Sequence, residues 1–347
     1  MPPTCNRDDY LAYADFCFET FGDRVKKWVT LNEPNLYSMY AYNYGDWPPG
    51  RCSEWMGNCT GAGGDSSTEP YVAAHHLLLS HAAAVKLYRE SYQKWQKGVV
   101  GITIISQWFE PKYRNSSSSH AAASRSLDFM LGWFLRPIIY GVYPKSMRSL
   151  VGDRLPRFTE EQSDILRGSI DFLGLNYYTA NYAEEAPAAA RASYSDDSRA
   201  LLSTEKDGVP IGTPTDLDWL FINPKGLQRL LHHIKNNYKN PPVYITENGM
   251  GDQSSLSFEM ALNDTTRIQY HETHLRSVLN AIKDGANVMG YYVWCFFDDF
   301  EWSAGYTVRF GMTYVDFNDN LKRYLKASAY WFKSFLAPSP SIHSPKS

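Results

Sequence analysis

The stretch VYITENG at residues 243–249 decides the fold, because an apolar, β-branched run stops there at a carboxylate and an Asn-Gly turn. Such a run is typical of a strand that is buried on both faces, where an ionised side chain is least tolerated. Glu247 therefore fits best at the carboxyl end of the strand, where the chain turns into a loop and a pocket can form. The stretch predicts a sheet that carries its chemistry at the strand ends.

Similar strand-like runs recur along the chain and alternate with stretches that have the apolar spacing of helices. This alternation predicts a parallel sheet with helices outside it, either doubly wound or closed as a barrel. The predicted strands are 25–34, 98–110, 169–179, 242–249 and 287–299, and the predicted helices are 8–22, 71–93, 121–135, 225–237, 265–283 and 326–336.

The polar residues at the strand ends distinguish the two architectures. Asn32-Glu33, Asn176-Tyr177-Tyr178, Glu247-Asn248 and the segment 294–302 follow four different strands. A barrel gathers its site from many strand ends, whereas a doubly wound sheet concentrates it at one switch point. The sequence therefore predicts an α/β fold of the (β/α)8 TIM-barrel type, with the polar segment 181–223 outside the sheet at the rim of the pocket.

Composition and charge exclude several classes of protein. The chain has 347 residues, of which 44% are hydrophobic, and a formal net charge of -3 without a basic run. These values predict a globular protein that binds neither nucleic acid nor a membrane. The residues before 20 lack the apolar segment of a secretory signal, so the chain itself predicts no compartment. The three Asn-X-Ser/Thr sequons, at Asn58, Asn115 and Asn263, are no more than chance supplies, so glycosylation is left open.

Four motifs in this order resemble the family 1 glycoside hydrolases over nearly the whole chain. They are TLNEP at 30–34, LNYYT at 175–179, YITENG at 244–249 and WCFFDDFEW at 294–302. The loop that begins with GDWPPG at 45–50 is similar to the plant β-glucosidases of that family. Cys52 and Cys59 lie in this loop at a spacing that could close a small disulfide.

The resemblance implies a retaining β-glucosidase that hydrolyses small β-glucosides through a covalent glucosyl-enzyme intermediate, with no cofactor and no metal. Glu33 matches the general acid/base of the family, and Glu247 matches the nucleophile. A retaining enzyme needs two such carboxyl groups roughly 5 Å apart across the sugar. A lone Glu is more often a surface residue than a catalytic one. Two Glu residues at strand ends of one barrel make the catalytic interpretation the better one. Thioglucosidases of the family have another residue in place of the acid/base Glu. The presence of Glu33 therefore indicates that the chain is not a thioglucosidase.

The remaining site residues also follow from the resemblance. Asn32 matches the residue that binds the sugar 2-hydroxyl, and Tyr178 matches the tyrosine that holds the nucleophile. Trp294 is expected to stack on the sugar ring, while Glu301 and Trp302 bind its outer hydroxyls. The aglycone rim is expected around Trp108, Tyr306 and 181–223. The full set of expected substrate-binding residues is Asn32, Asn176, Tyr178, Trp294, Glu301 and Trp302.

The resemblance also implies an incomplete barrel, because the family carries its acid/base motif on the fourth of eight strands. Residues 1–347 are therefore expected to form a single, partial TIM-barrel domain that matches the fourth to eighth strands. Two alternatives to an active β-glucosidase stay open: an impaired isoform that only binds sugar or pairs with other chains, and a fragment without a stable fold. A homo-oligomer is possible. For a full-length parent the resemblance implies the secretory pathway, the vacuole or the extracellular space.

Overall fold

The computed structural model describes residues 7–57, 59, 61 and 63–337, and their centre is a parallel sheet. Five strands form this sheet, and they are numbered by their place among the strands of the described residues. In spatial order they are Lys27–Asn32 (β1), Val99–Ile105 (β2), Phe172–Asn176 (β4), Val243–Glu247 (β11) and Val288–Tyr291 (β13).

The five predicted strands are confirmed, with two errors in their extent. The predicted strand 98–110 is two strands, β2 and Trp108–Pro111 (β3). The predicted strand 287–299 ends at Tyr291. Tyr292 N and Trp294 N still donate to Ile245 O and Asn248 O at the end of β11, but from Cys295 onwards the backbone bonds to residues 310–313. Cys295 N donates to Phe310 O (3.2 Å), and Asp298 N donates to Thr313 O (3.0 Å). A pattern of local residues does not reveal such a long-range pairing.

Helices cover the outer face of the sheet and confirm the predicted helical stretches. Two of these stretches contain a π-helical turn where the prediction was a continuous α-helix, at Tyr88–Tyr92 and Asp128–Gly132, and a third such turn lies at Tyr40–Tyr44. The α-helices are Arg7–Phe21 (α1), Pro34–Met39 (α2), Glu69–Leu87 (α3), Gln93–Gln96 (α4), Ser117–Leu127 (α5), Trp133–Tyr140 (α6), Lys145–Val151 (α7), Glu160–Leu166 (α8), Tyr194–Asp197 (α9), Pro224–Asn237 (α10), Phe258–Leu262 (α11), Thr265–Lys283 (α12) and Ala327–Leu336 (α13).

The segment 181–223 lies outside the main sheet, as predicted, where it forms short strands. Together with β3 and the loops near the C-terminus it supplies several small sheets. The remaining strands are Ala180–Glu185 (β5), Ala200–Ser203 (β6), Glu205–Lys206 (β7), Val209–Pro210 (β8), Thr213–Pro214 (β9), Phe221–Ile222 (β10), Asp252–Gln253 (β12), Val308–Arg309 (β14), Thr313–Asp316 (β15) and Lys322–Leu325 (β16).

The main core lies between the central strands and the helices, where β2 and β4 are almost entirely buried. Leu78, Ile102, Trp133 and Leu173 are among its fully buried side chains. A disulfide joins Cys52 to Cys59 with their Cα atoms 5.5 Å apart, which confirms the predicted pairing. None of the helices in the described ranges has the length and apolar character needed to cross a membrane.

Candidate active site

The carboxyl ends of β1, β4 and β11 bring two carboxylates together through a pair of amides. The Asn176 amide donates to Glu33 Oε1 (2.6 Å) and to Asn32 Oδ1 (3.2 Å). The Asn32 amide in turn donates to Glu247 Oε1 (3.3 Å). Thr246 donates to Asn176 Oδ1 (2.6 Å), which fixes the orientation of the Asn176 amide. Glu33 and Glu247, far apart in sequence, therefore share one hydrogen-bonded network at the end of the sheet.

Glu247 is held by groups that favour its ionised form. Tyr178 Oη donates to Glu247 Oε2 at 2.7 Å, and Asn32 binds the other oxygen. Burial raises the pKa of Glu247 above its usual value, while the bonds from Tyr178, Asn32 and Asn176 oppose that rise. Hydrogen bonds that are donated to a carboxylate stabilise its charge. The carboxylate of Glu247 is thus fixed in place with donors on both oxygens.

Glu33 lies in an uncommon backbone conformation between β1 and α2. Its φ of 50° and ψ of 47° are left-handed, a region that non-glycine residues rarely adopt. Two backbone bonds hold it there: Glu33 N donates to Thr103 O (2.9 Å), and Tyr37 N donates to Glu33 O (3.0 Å). The residue after Glu33 is Pro34, which occupies the first position of α2, where its fixed φ suits the helix. This local strain directs the Glu33 side chain to the end of the sheet.

The pKa of Glu33 is raised to about 8, mainly because the side chain loses solvent and secondly because Glu247 lies near it. The amide of Asn176 opposes this rise, and Glu301 adds to it. A carboxylic acid that keeps its proton at neutral pH beside an ionised carboxylate is the arrangement that acid-base chemistry on one substrate requires.

The raised pKa of Glu33 predicts a pH-dependent gain in stability for Glu33→Gln. A neutral Glu33 contributes stability in full below its ordinary pKa of 4.5, and this contribution is lost as the pH rises through the folded value of about 8. Glutamine cannot ionise, so the melting temperature of Glu33→Gln relative to the native chain should increase from pH 4.5 to pH 8. Thermal melts across this range measure the difference. Exposed Glu205→Gln is the control, and an equal pH trend in both variants would contradict the prediction.

A cavity of about 270 Å³ opens above the two carboxylates. Seven of the eight residues that the sequence predicts for catalysis and substrate binding line it, and Asn176 lies behind it, bonded to Glu33. Its other walls come from apolar and aromatic side chains. The predicted lining residues are Asn32, Glu33, Tyr178, Glu247, Trp294, Glu301 and Trp302, and the additional ones include Leu36, Tyr40, Trp47, Leu217, Trp219 and Phe310.

One wall of the cavity is a stack of three aromatic rings that the sequence analysis did not identify. Trp302 stacks on Trp47 with ring centroids 5.1 Å apart, and Trp47 stacks on Tyr40 at 4.9 Å. Trp302 nevertheless exposes 63% of its surface. Trp47 belongs to the GDWPPG stretch, so the loop that carries the family resemblance already contained the residue that could have predicted this wall.

The acidic residue on this wall is Glu301. Burial, then the charge of Asp299, raises the pKa of Glu301 to about 7, and a bond from Trp294 opposes the rise. A partly buried carboxylate accepts strong hydrogen bonds from hydroxyl groups. With the Trp294 ring beside it, Glu301 gives the cavity a surface suited to an apolar ring face bordered by hydroxyls.

The residues expected at the aglycone rim lie only in part at this cavity. Trp108 lines a different cavity, because its indole N–H bonds to Glu110 (2.9 Å) within the small sheet of β3. Tyr306 is not part of the lining either, and packs on Phe300 and Phe317. Within 181–223, however, Leu217 and Trp219 reach the cavity.

The segment from Trp294 to Trp302 has little regular structure, and the buried Asp298 anchors it. Asp298 accepts from Arg309 (2.7 Å), from Lys326 (3.0 Å) and from two backbone amides. Arg309 O accepts from Arg267, which pairs with two further carboxylates, Asp252 and Asp264. A buried network of three cations and three carboxylates thus fastens the segment to the last helices.

Asp298→Asn should destabilise the fold by about 3 to 5 kcal/mol, because it leaves Lys326 and Arg309 with an unbalanced buried charge. Urea unfolding followed by tryptophan fluorescence measures the loss. The double variant Asp298→Asn with Lys326→Met removes one charge of each sign and should recover a large part of the stability. A double variant that is no more stable than the single one would show that charge balance is not the cause.

The chain is similar to known β-glucosidases over almost its whole length. The profile of glycosyl hydrolase family 1 matches residues 6–339. Beta-glucosidase 17 of Arabidopsis thaliana is 53% identical over 337 residues, which are 96% of this chain and 65% of that protein. Beta-glucosidase 12 of Oryza sativa subsp. indica is 53% identical over 95% of this chain and 65% of its own length. The chain therefore spans about two thirds of the length of these relatives.

Solved structures show the same similarity. A mutant of rice Os3BGlu6 β-glucosidase in a covalent complex with Glc superposes with a TM-score of 0.93 at 43% identity, over 96% of this chain and 70% of that one. A family 1 β-glucosidase from Thermotoga maritima gives 0.81 at 32% identity, over 94% of this chain and 67% of that one. The fold is therefore of the α/β TIM-barrel type, and the chain belongs to glycosyl hydrolase family 1.

Proposed function

We propose that the chain carries the catalytic site of a retaining β-glucosidase that acts on small β-glucosides. The observation that supports this most directly is the pair of strand-end carboxylates in one hydrogen-bonded network, with the pKa of Glu33 raised to about 8 and donors on both oxygens of Glu247. The covalent glucose complex of the rice relative supports a covalent intermediate by similarity.

In the first step, an oxygen of Glu247 attacks the anomeric carbon while the bond from that carbon to the leaving oxygen breaks. Glu33 gives its proton to the leaving oxygen, and the aglycone departs as an alcohol. The bond from Tyr178 to Glu247 keeps one carboxylate oxygen aligned as the other becomes part of the ester. Trp294 and Glu301 hold the sugar against the wall of the cavity.

In the second step, water hydrolyses the glucosyl ester. Once Glu247 is esterified its negative charge is gone, and with it the second cause of the raised pKa of Glu33. Glu33 then accepts a proton from water as the water oxygen attacks the anomeric carbon. Glucose leaves, Glu247 is again a carboxylate, and Glu33 is again protonated.

We further propose that residues 1–347 form one domain that corresponds to five units of an eight-unit barrel. The five parallel strands support this proposal, as does the third of the relatives' length that the chain does not match. The second candidate is an impaired chain that binds sugar without turnover. Turnover of a chromogenic β-glucoside, lost in Glu247→Ala, tests the function. Binding of glucose without turnover would favour the second candidate.

Glu33→Ala should slow substrates according to their leaving groups. A β-glucoside of a simple alcohol needs protonation and should lose about 100-fold or more, whereas an activated nitrophenolate should leave almost unaided. Rate constants for a leaving-group series, measured in a chain completed with three βα units, test this. Equal losses across the series would contradict the role of Glu33 as the acid.

A further inference from the structure

A second cavity lies outside the sheet that carries the candidate active site. Residues of β3, β5, β7 and the start of α10 line it, and none of them lines the active-site cavity. Its volume is about 600 Å³. Sites for small organic molecules typically enclose about 300 to 1,000 Å³, so this cavity has room for such a molecule.

The floor of this cavity is one face of the small sheet of β3 and β5. The two strands are parallel, with Trp108 opposite Ala180 and Glu110 opposite Tyr182. Residues that are two apart in a strand lie on the same face of a sheet, and residues that face each other on paired strands do so too. The side chains of Trp108, Glu110 and Tyr182 therefore share this face, and all three line the cavity. Both aromatic side chains are partly exposed, so a ligand can reach them.

Five cationic side chains line the same cavity, and two of them are paired with carboxylates. Glu184 pairs with Lys112, and Glu110 pairs with Arg229. Asp207 is a further carboxylate near Lys112. The whole chain has a formal net charge of -3, so the excess of positive charge is local to the cavity. The three cations that form no salt bridge with any residue that the structure describes are Arg114, Lys206 and Lys225.

These three unpaired cations come from three separate parts of the fold. Arg114 lies in the turn after β3, Lys206 ends β7, and Lys225 lies in the first turn of α10. Lys206 lies over the ring of Tyr113, 5.3 Å from its centroid. A cation in the first turn of a helix is disfavoured by the helix dipole, and the first turn of α10 contains no acidic residue to offset it. Helix stability therefore does not account for Lys225, whereas a bound anion would.

We propose that this cavity is a second carbohydrate site, which binds a short oligosaccharide whose sugar rings carry carboxylates. The carboxylates pair with the three unpaired cations, of which Arg114 has the planar fork that binds a carboxylate through two hydrogen bonds. The apolar faces of the sugar rings contact Trp108 and Tyr182. This site does not depend on the proposed catalysis.

The arrangement of the cavity favours this class of ligand over two others. An inorganic anion would fill a small part of the volume and would leave the aromatic floor unused. A nucleotide carries its charge at one end, whereas the three unpaired cations approach from three elements of the fold. A chain of acidic sugars instead has one carboxylate on each ring, so its charge is spread along the cavity.

Calorimetric titration of the 347-residue chain with trigalacturonic acid tests the proposal, and maltotriose is the neutral control. We expect the acid to bind and maltotriose not to bind at the same concentrations. A rise in sodium chloride from about 0.05 M to about 0.5 M should weaken the binding at least about tenfold, because salt screens exposed charges.

NMR of the indole N–H groups shows which cavity the acid occupies. The Trp108 signal, identified by its absence from Trp108→Phe, should shift when trigalacturonic acid is added. Trp294 lines the active-site cavity, and its signal, identified in the same way, should stay in place.

Two matched variants test the role of charge. Lys225 and Lys145 are both exposed, each follows a proline, and each lies in the first turn of a helix, but only Lys225 lines the cavity. Lys225→Gln should weaken the binding of trigalacturonic acid at least about tenfold, and Lys145→Gln should not change it. Arg114→Gln repeats the test on another wall in case Lys225→Gln perturbs α10, which circular dichroism would show.

Four outcomes would overturn the proposal. They are the absence of binding, equal affinity for maltotriose, equal weakening by Lys225→Gln and Lys145→Gln, and a shift of the Trp294 signal in place of the Trp108 signal. Displacement of trigalacturonic acid by a lower concentration of ATP would also contradict the proposed class and would assign the cavity to nucleotides. None of these readouts needs turnover, so their result is independent of the proposed β-glucosidase activity.

Discussion

Glu247→Gly should abolish hydrolysis of β-glucosides, by at least about 10⁴-fold, in a chain completed with three βα units. The variant removes the oxygen that attacks the anomeric carbon and leaves a space beside Tyr178 and Asn32, the two donors to the native carboxylate. Azide or formate should fill this space and restore part of the rate with an activated substrate. Since the anion attacks once, from the side of the missing carboxylate, the product should have inverted configuration at the anomeric carbon.

Glu33→Gly is the matched control, with the same anion and the opposite stereochemistry. In that variant Glu247 still forms the ester, and azide then attacks it from the other face, so two inversions give a retained product. Product configuration is read by proton NMR. A retained azide product from Glu247→Gly would mean that another residue is the nucleophile.

The isolated 347-residue chain should hydrolyse a chromogenic β-glucoside at least ~1000-fold more slowly than the completed barrel. Trp294, Glu301, Trp302 and Asn32 contact the sugar from one side only in the proposed site. The estimate comes from the loss of two to three hydrogen bonds, each about 1 to 3 kcal/mol for a polar substrate, which tighten as the sugar ring flattens.

The comparison requires both proteins to be monodisperse and equally pure. A purified isolated chain that works within about tenfold of the completed barrel would contradict this prediction. It would mean that the contacts present here are sufficient for transition-state binding.

Local signals in the sequence were sufficient for the strands and for the residues at their ends. Glu33, Tyr178 and Glu247 each follow an apolar run, and the structure brings them into one network. The end of β13 was placed too late because the residues after Tyr291 are as apolar as a strand. From Cys295 onwards their backbone pairs instead with residues 310–313, and a local pattern holds no information about such a partner.

Features that depend on tertiary packing were missed for the same reason. The network around Asp298 joins residues from five separate parts of the chain, so no spacing in the sequence predicts it. Trp108 was expected at the rim from the family resemblance, but its bond to Glu110 holds it in another cavity. The catalytic roles of Glu33 and Glu247 stay predictions that their substitutions would test.

The shape of the cavity depends on the one extra residue that the π-helical turn at Tyr40–Tyr44 contains. Such a turn has i→i+5 hydrogen bonds and so contains one residue more than a turn of α-helix. Removal of that residue would rotate the helix before the turn by about 100° relative to the chain after it. Tyr40 would then lose its place beneath Trp47, and Trp47 supports Trp302. Relatives that differ by a one-residue gap here can therefore differ in the sugars or aglycones they accept while every residue at the strand ends stays the same.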